Sequence, residues 1–273
     1  MSDQIKTMQL YPRAERIYAE LEALGYAADT AVPVEVLNQF DQLHYHGTEA
    51  LDAAIAACDM QAGQKVLEVG SGWGGCARYL AQTSGADLHA VELQPDYHAV
   101  AQDLTARSGL IPRVSHINAD FLEVDLQDGG FDHAVSWLAL FHIPDRPRYQ
   151  AKIKAALKPG GMLFAEDLYL IAAPADEADF ARHLFPNSLV SREAYENSLH
   201  EAGFDHVTLT DMTENWAAFT ANRLEAFRTA RPAYEARHGK DSYIALHLFY
   251  EKMAGYLADG VVGGLRLSAR KPV

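Results

Sequence analysis

The sequence predicts an α/β fold in which helices flank a mostly parallel sheet, and three observations carry that prediction. Short apolar runs at 66–69, 88–93, 114–118 and 131–136 alternate with stretches of helical periodicity, as parallel β-α-β units require. The first run feeds directly into Gly70-Ser71-Gly72-Trp73-Gly74-Gly75 and then a helical pattern through Ala77, Arg78, Tyr79 and Leu80. With 273 residues, 49% of them hydrophobic, the chain can bury one large core and carry a modest cap.

The glycine turn is expected to hold a ligand, because glycine lets backbone approach where a Cβ would block it. Gly70, Gly72 and Gly75 satisfy the dinucleotide pattern GxGxxG, and Glu92 follows at about 20 residues, so a nicotinamide cofactor is one reading. Three features favour S-adenosylmethionine instead: Glu68 just ahead of the first glycine, Asp120 after the third strand, and Leu157-Lys158-Pro159-Gly160-Gly161 before a fifth. A carboxylate at Glu68 suits a methionyl ammonium and would repel a pyrophosphate. Ser71 and Gly74 complete the cofactor turn.

The net charge of −14 argues against general nucleic-acid binding, which needs clustered Lys and Arg, and leans toward cationic or neutral small substrates. Cys58 and Cys76 are the only cysteines, too few for a disulfide framework or a Cys-based zinc site. No apolar run reaches membrane-spanning length, and the first residues lack a signal pattern. The expectation is a cytoplasmic, unanchored protein with a small-molecule acceptor and neither membrane nor nucleic-acid partner.

Residues 1–60 read as an N-terminal helical arm and lid. Leu10, Ile17, Leu21 and Leu24 are spaced as on a helix that stops at Gly25, and a second helix begins near Pro33. The polar, aromatic turn at 40–49 precedes a helix over 51–58 and is placed to close over a cofactor. Gln42 is expected at the cofactor, while His44 and Tyr45 would shield its methionyl end or touch the acceptor. His44 and His46 flank Tyr45 and invite a metal reading, but no carboxylate or cysteine partner is identifiable. No metal is expected.

Residues 61–171 form the predicted cofactor-binding core. Glu92, with Leu93 beside it, can accept hydrogen bonds from both ribose hydroxyls. Asp120 can accept from an adenine amino group with Phe121 against the ring. The fourth strand delivers Trp137, Leu138, Phe141 and His142 to the carboxyl edge of the sheet, where open α/β sheets bind ligands. Trp137 is assigned to the cofactor, and Leu138 and Phe141 to the acceptor wall. His142 is a candidate general base, since imidazole titrates near neutrality. After strand five at 162–165, Asp167 is a second candidate for proton removal, as is Tyr45, and Tyr169 a further acceptor contact.

Residues 172–273 supply the cap and the last two core strands. An insertion covers 172–186, and Ser191 looks like the N-cap of a helix through Tyr195 and Leu199 that ends at Gly203. Strand six suits 204–210, and the last strand suits 264–271, where Leu265, Leu267 and Ala269 alternate with Arg266, Ser268 and Arg270. Between them lies an aromatic-rich stretch expected to be cap core or a homodimer contact, with Trp216 and Tyr243 as candidate acceptor contacts.

Taken together, Asp41-Gln42-Leu43-His44, Glu68 to Gly75 with Ala77-Arg78-Tyr79-Leu80, 128–132, Phe141-His142-Ile143-Pro144-Asp145 and 157–161 resemble class I S-adenosylmethionine-dependent methyltransferases. Within that class the chain resembles the small-molecule group that includes phosphoethanolamine and sarcosine/dimethylglycine N-methyltransferases. The resemblance covers roughly 40–170. It implies a Rossmann-like, seven-stranded sheet with six parallel strands and the last antiparallel, an N-terminal helical lid and a helical cap insertion. It also implies that Glu68, Gly70, Gly72, Glu92, Asp120 and Phe121 bind cofactor, and that His142 matches a histidine near the methyl group in phosphoethanolamine enzymes. Leu138 stands where those enzymes place an acidic acceptor contact.

The function expected is methyl transfer to a small polar metabolite, at nitrogen first and at oxygen or carbon second. A Rossmann oxidoreductase and a non-catalytic cofactor-binding protein are the rivals from other classes.

Overall fold

The computed structural model describes residues 13–273. Its seven strands are β1 (Lys65–Val69), β2 (Asp87–Glu92), β3 (Val114–Asn118), β4 (Phe131–Trp137), β5 (Leu157–Leu170), β6 (Asp205–Asp211) and β7 (Val262–Arg270). They form one sheet in the order β3-β2-β1-β4-β5-β7-β6. The β1, β2, β3, β4 and β5 neighbours pair parallel, whereas β7 runs antiparallel to both β5 and β6. The expected sheet of six parallel strands with the last one reversed is therefore present.

In chain order the helices are α1 (Arg16–Ala23), α2 (Val34–Leu37), α3 (Thr48–Cys58), α4 (Gly75–Ser84), α5 (Pro95–Arg107), α6 (Arg146–Ala156), α7 (Glu177–Leu184), α8 (Arg192–Glu201), α9 (Thr213–Thr229), α10 (Arg231–His238) and α11 (Lys240–Ala258). Side chains alternate across each strand, so Val66 packs with Leu51, Ala77 and Leu80 on one face while Leu67 packs with Ile153, Tyr195 and Leu199 on the other. Both faces are covered, which is why β1 reads as a nearly unbroken apolar run. The strand order reverses between β1 and β4, and a crevice opens at their carboxyl ends.

Three boundaries differ from the sequence reading for physical reasons. The first helix starts at Arg16, and Leu10 lies outside the described residues. Strand β5 begins at Leu157, ahead of the expected 162, because the end of β7 captures the Pro-Gly-Gly segment. There the Gly160 N–H donates to the Lys271 carbonyl at 2.9 Å, and the Lys271 N–H to that of Gly161 at 2.8 Å. The insertion at 172–186 contains α7, whose N-cap Asp176 accepts from the Asp179 N–H at 2.9 Å. Ser191 does cap α8, accepting from the Ala194 N–H at 3.2 Å.

The aromatic-rich stretch folds as α9, α10 and α11 over the open edge of the crevice. It is tied to the N-terminal arm, since Glu20 on α1 accepts from His238 at 2.6 Å and from Arg237. Arm and cap together thus make one cover. Among the described residues no helix is long and apolar enough to cross a membrane.

Candidate active site

The glycine turn is pinned to the sheet before it meets any ligand. The N–H groups of Gly70 and Ser71 both donate to the Val91 carbonyl on β2, at 2.9 and 3.1 Å. Gly70 has φ +77°, and a Cβ there would lie 2.3 Å from the Ala139 Cβ, so the position admits only glycine. At Gly75 a Cβ would meet the Asp41 carbonyl at 2.6 Å. That glycine is set by the close approach of the lid.

The lid itself is anchored by charge. Asp41 and Arg78 form a fully buried ion pair at 2.8 Å, and Gln42 donates to the other Asp41 oxygen at 2.9 Å. Gln42 Oε1 then lies 2.9 Å from a ring nitrogen of His44, whose other nitrogen is 3.0 Å from the Tyr45 carbonyl. His44 packs against Trp137 with ring centroids 5.8 Å apart, and burial lowers its pKa to about 4. Tyr45 meets Trp216 edge to face at 4.9 Å. His44 and His46 belong to no cluster of three or more metal-ligating groups among the described residues.

Below the lid is a cavity of about 210 Å³. Gly70, Ser71, Gly72, Glu92, Leu93, Asp120 and Phe121 line one end, and His44, Tyr45, Trp137, Leu138, Phe141 and His142 continue the wall. Glu92 is held by two backbone donors, Gly72 N–H at 2.7 Å and Gln94 N–H at 2.8 Å. Burial raises its pKa against those bonds, and each oxygen keeps a lone pair for a ligand hydroxyl. Asp120 accepts from the Leu122 N–H at 2.9 Å, which fixes its rotamer at the end of β3.

His142 sits on a short 3₁₀ turn, Leu140–His142. Its Nδ1 lies 3.0 Å from the Phe185 carbonyl, and because a carbonyl only accepts, that nitrogen carries the proton. Nε2 is left with its lone pair. Burial lowers the ring's pKa to about 4, so the neutral base form is the one present at neutral pH. Leu138, just before this turn, is held at φ +52°, a left-handed conformation that a leucine adopts only under strain.

Seven of the expected site residues do not line the cavity. Glu68 is buried under the turn, its pKa raised to about 8 by burial, and Cys76 rather than Glu68 reaches the wall. Gln42 stands beside the wall in the lid network. Gly74 caps α4 beneath His116. Asp167 accepts from the Tyr195 hydroxyl at 2.9 Å and from the Phe141 N–H at 3.4 Å, so it holds the 3₁₀ turn from behind. Burial raises its pKa to about 6 even with Arg146 nearby. Tyr169 donates to Asp211 at 3.0 Å, Trp216 packs on Gly264, and Tyr243 stacks on Phe227 at 5.0 Å.

The structure adds wall residues to which the sequence reading gave no site role: Cys76, Tyr97, Leu168, Leu184, Phe249 and Met253, together with Asp41 and Leu43 of the quoted 41–44 motif. Asp41 and Arg78 each stand in a motif that carries the family resemblance, but nothing in the sequence joins them as a pair. No spacing rule links them.

An adenosyl methionyl ligand fits the polar end. The Ser71 hydroxyl and the Trp137 indole N–H, both on lining residues, are buried without a hydrogen-bond partner, as is one Glu68 oxygen. Glu92 and Asp120 stand at the ends of adjacent strands at this end of the cavity.

Residues 66–161 match the family model described as a methyltransferase domain. Methyltransferase GfsG of Streptomyces halstedii is 29% identical over 71% of this chain and 72% of its own length. Phosphoethanolamine N-methyltransferase 3 of Arabidopsis thaliana is 28% identical over 72% of this chain, which spans only 40% of that relative. Among solved structures, phosphoethanolamine N-methyltransferase 2 of Haemonchus contortus, bound to phosphomonomethylethanolamine and S-adenosylhomocysteine, superposes with a TM-score of 0.80. It is 23% identical, with 93% of this chain and 60% of that one covered. Sequence match, strand order and superposition agree that residues 66–161 match a methyltransferase domain and that the chain has the fold of these methyltransferases.

Proposed function

We propose that the chain transfers a methyl group from S-adenosylmethionine to a nitrogen or oxygen of a small-molecule acceptor. The single observation that carries the proposal is the position of His142: a neutral imidazole with a free Nε2, at the cavity wall next to the residues expected to hold the donor. Bound S-adenosylmethionine supplies an electrophilic methyl whose sulfonium is already a good leaving group. The protein therefore has three tasks: to align, to exclude water and to accept a proton.

Glu92, Asp120, Ser71 and the backbone of Gly70 and Gly72 would hold the adenosyl and methionyl parts. Glu68 would act through the turn above it. The lid of His44 and Tyr45, latched by the buried Asp41–Arg78 pair, covers the donor end and keeps water out. Fixing donor and acceptor in line is worth on the order of 7–11 kcal/mol in favourable cases. His142 Nε2 would accept the proton of the attacking N–H or O–H as the new bond forms, a role worth roughly 10²–10⁴-fold. Asp167 is assigned a positioning role, through its bonds to Phe141 and Tyr195, in place of the expected direct one.

Calorimetry with S-adenosylhomocysteine and NAD, followed by labelled methyl transfer into pooled alcohols, phenols and amines, tests the reading. Binding of the sulfur compound alone and a labelled product are expected. NAD binding with no response to S-adenosylhomocysteine would end it. His142→Ala should cut turnover at least tenfold while S-adenosylhomocysteine affinity stays within twofold, and unchanged turnover would remove His142 from the chemistry.

A further inference from the structure

The far end of the cavity has a composition of its own. Leu138, Phe141, Leu168, Leu184, Phe249 and Met253 line it, drawn from the residue after β4, the 3₁₀ turn, β5, α7 and α11. The same residues belong to one continuous apolar cluster with Trp216, Leu257 and Val262. Among the described residues no Lys or Arg lines any part of the cavity. Its carboxylates, Asp41, Glu92 and Asp120, all sit in the lid latch or at the ends of β2 and β3.

Two arginines stand behind this end, outside the cavity lining, each with two guanidinium nitrogens buried without a hydrogen-bond partner. Arg223 lies over the rings of Tyr45 and Tyr250, at 5.0 and 4.3 Å, outside the lining. Arg146 donates to the Ser188 carbonyl and stacks on Tyr195 at 3.9 Å. A phosphate or carboxylate buried at the far end would touch no cation among the described wall residues, with the Arg223 guanidinium held behind the Tyr45 ring, and an unpaired buried charge is among the most costly arrangements a protein can hold. An ammonium would find no carboxylate there. Beside this end His142 offers the Nε2 lone pair, which a single hydroxyl or N–H donor satisfies.

We infer that the acceptor is an uncharged, largely apolar molecule that places one hydroxyl against His142 and buries its hydrocarbon between the 3₁₀ turn and the cap helices α7 and α11. This rests on the methyltransferase reading above and replaces the small polar amine expected from sequence with an apolar alcohol or phenol. The chain's net charge of −14 points the same way, since it disfavours an anionic ligand.

The test uses the full chain saturated with S-adenosylhomocysteine and titrated by calorimetry with 2-naphthol, phosphoethanolamine and sarcosine. Submillimolar binding of 2-naphthol alone is expected. Phe249→Arg and the near-isosteric Met253→Gln should weaken it, the first at least tenfold and the second about threefold, with S-adenosylhomocysteine affinity unchanged. That unchanged affinity shows each variant folded. Binding of either polar compound, no naphthol binding up to millimolar concentration, or naphthol affinity indifferent to both variants overturns the inference. Failure of S-adenosylhomocysteine itself to bind would instead strike the methyltransferase reading, so the two failures are told apart.

Discussion

At one end of the cavity the wall is backbone and carboxylate: the turn of Gly70 and Gly72, Glu92 held by two N–H groups, and Asp120. At the other it is hydrocarbon, with Leu184 and Met253 pressed in from cap helices that stand far apart in the chain. The first end is assembled from the carboxyl ends of β1, β2 and β3, neighbours in the sheet and consecutive in sequence. The second end is assembled by helix packing. A parallel sheet thus delivers polar groups to its carboxyl edge by a fixed rule, while the cap lines the far end with apolar groups without a rule of position.

Removing the latch that joins the two ends is expected to have the largest effect. Asp41→Ala leaves the Arg78 guanidinium buried and uncompensated, which costs about 3–5 kcal/mol. Denaturant unfolding measures it, and a loss below ~1 kcal/mol would mean the lid is held by packing alone. Glu92→Ala attacks the polar end only. It should weaken S-adenosylhomocysteine at least tenfold, roughly 1.4 kcal/mol, and unchanged affinity would unseat the ribose assignment.

The pH profile probes the boundary between the ends. Burial has lowered the pKa of His142 to about 4, so its neutral, proton-accepting form is complete at pH 7 and disappears as pH falls through about 4. Turnover should therefore show no His142-dependent limb between about pH 6 and 8, whereas an acid limb centred near the ordinary histidine value of about 6.5 would show a solvated ring. The smallest effect is expected at Tyr243→Phe. Its ring packs in the outer cap against Phe227, away from the cavity, so stability should move by less than about 0.5 kcal/mol and turnover by less than twofold. A large fall in turnover would restore the acceptor contact expected from sequence.

The fold and the polar end were legible for the same reason. Hydrophobic periodicity located all seven strands, and the rule that ligands bind where parallel strands end then pointed to Glu92, Asp120, Trp137 and His142. The reading went astray where a residue's direction depended on partners distant in the chain. Asp167 follows the fifth strand, as an acceptor contact would, yet Tyr195 and the Phe141 N–H claim both its oxygens. Tyr169 and Trp216 turned out to pack against β7, through Gly263 and Gly264, whose lack of side chains no periodicity connects to them.

By itself, then, the sequence located the strands and the glycine turn, because local pattern is a property of contiguous residues, while the sheet's topology and the expected donor came with the family resemblance. Only the tertiary structure decided that Asp41 meets Arg78, that His142 keeps its Nε2 lone pair, and that the far end of the cavity is apolar. Each of those depends on which surfaces the arm and the cap bring together, and burial in that shared interior is what fixes the charge state and the company each side chain keeps.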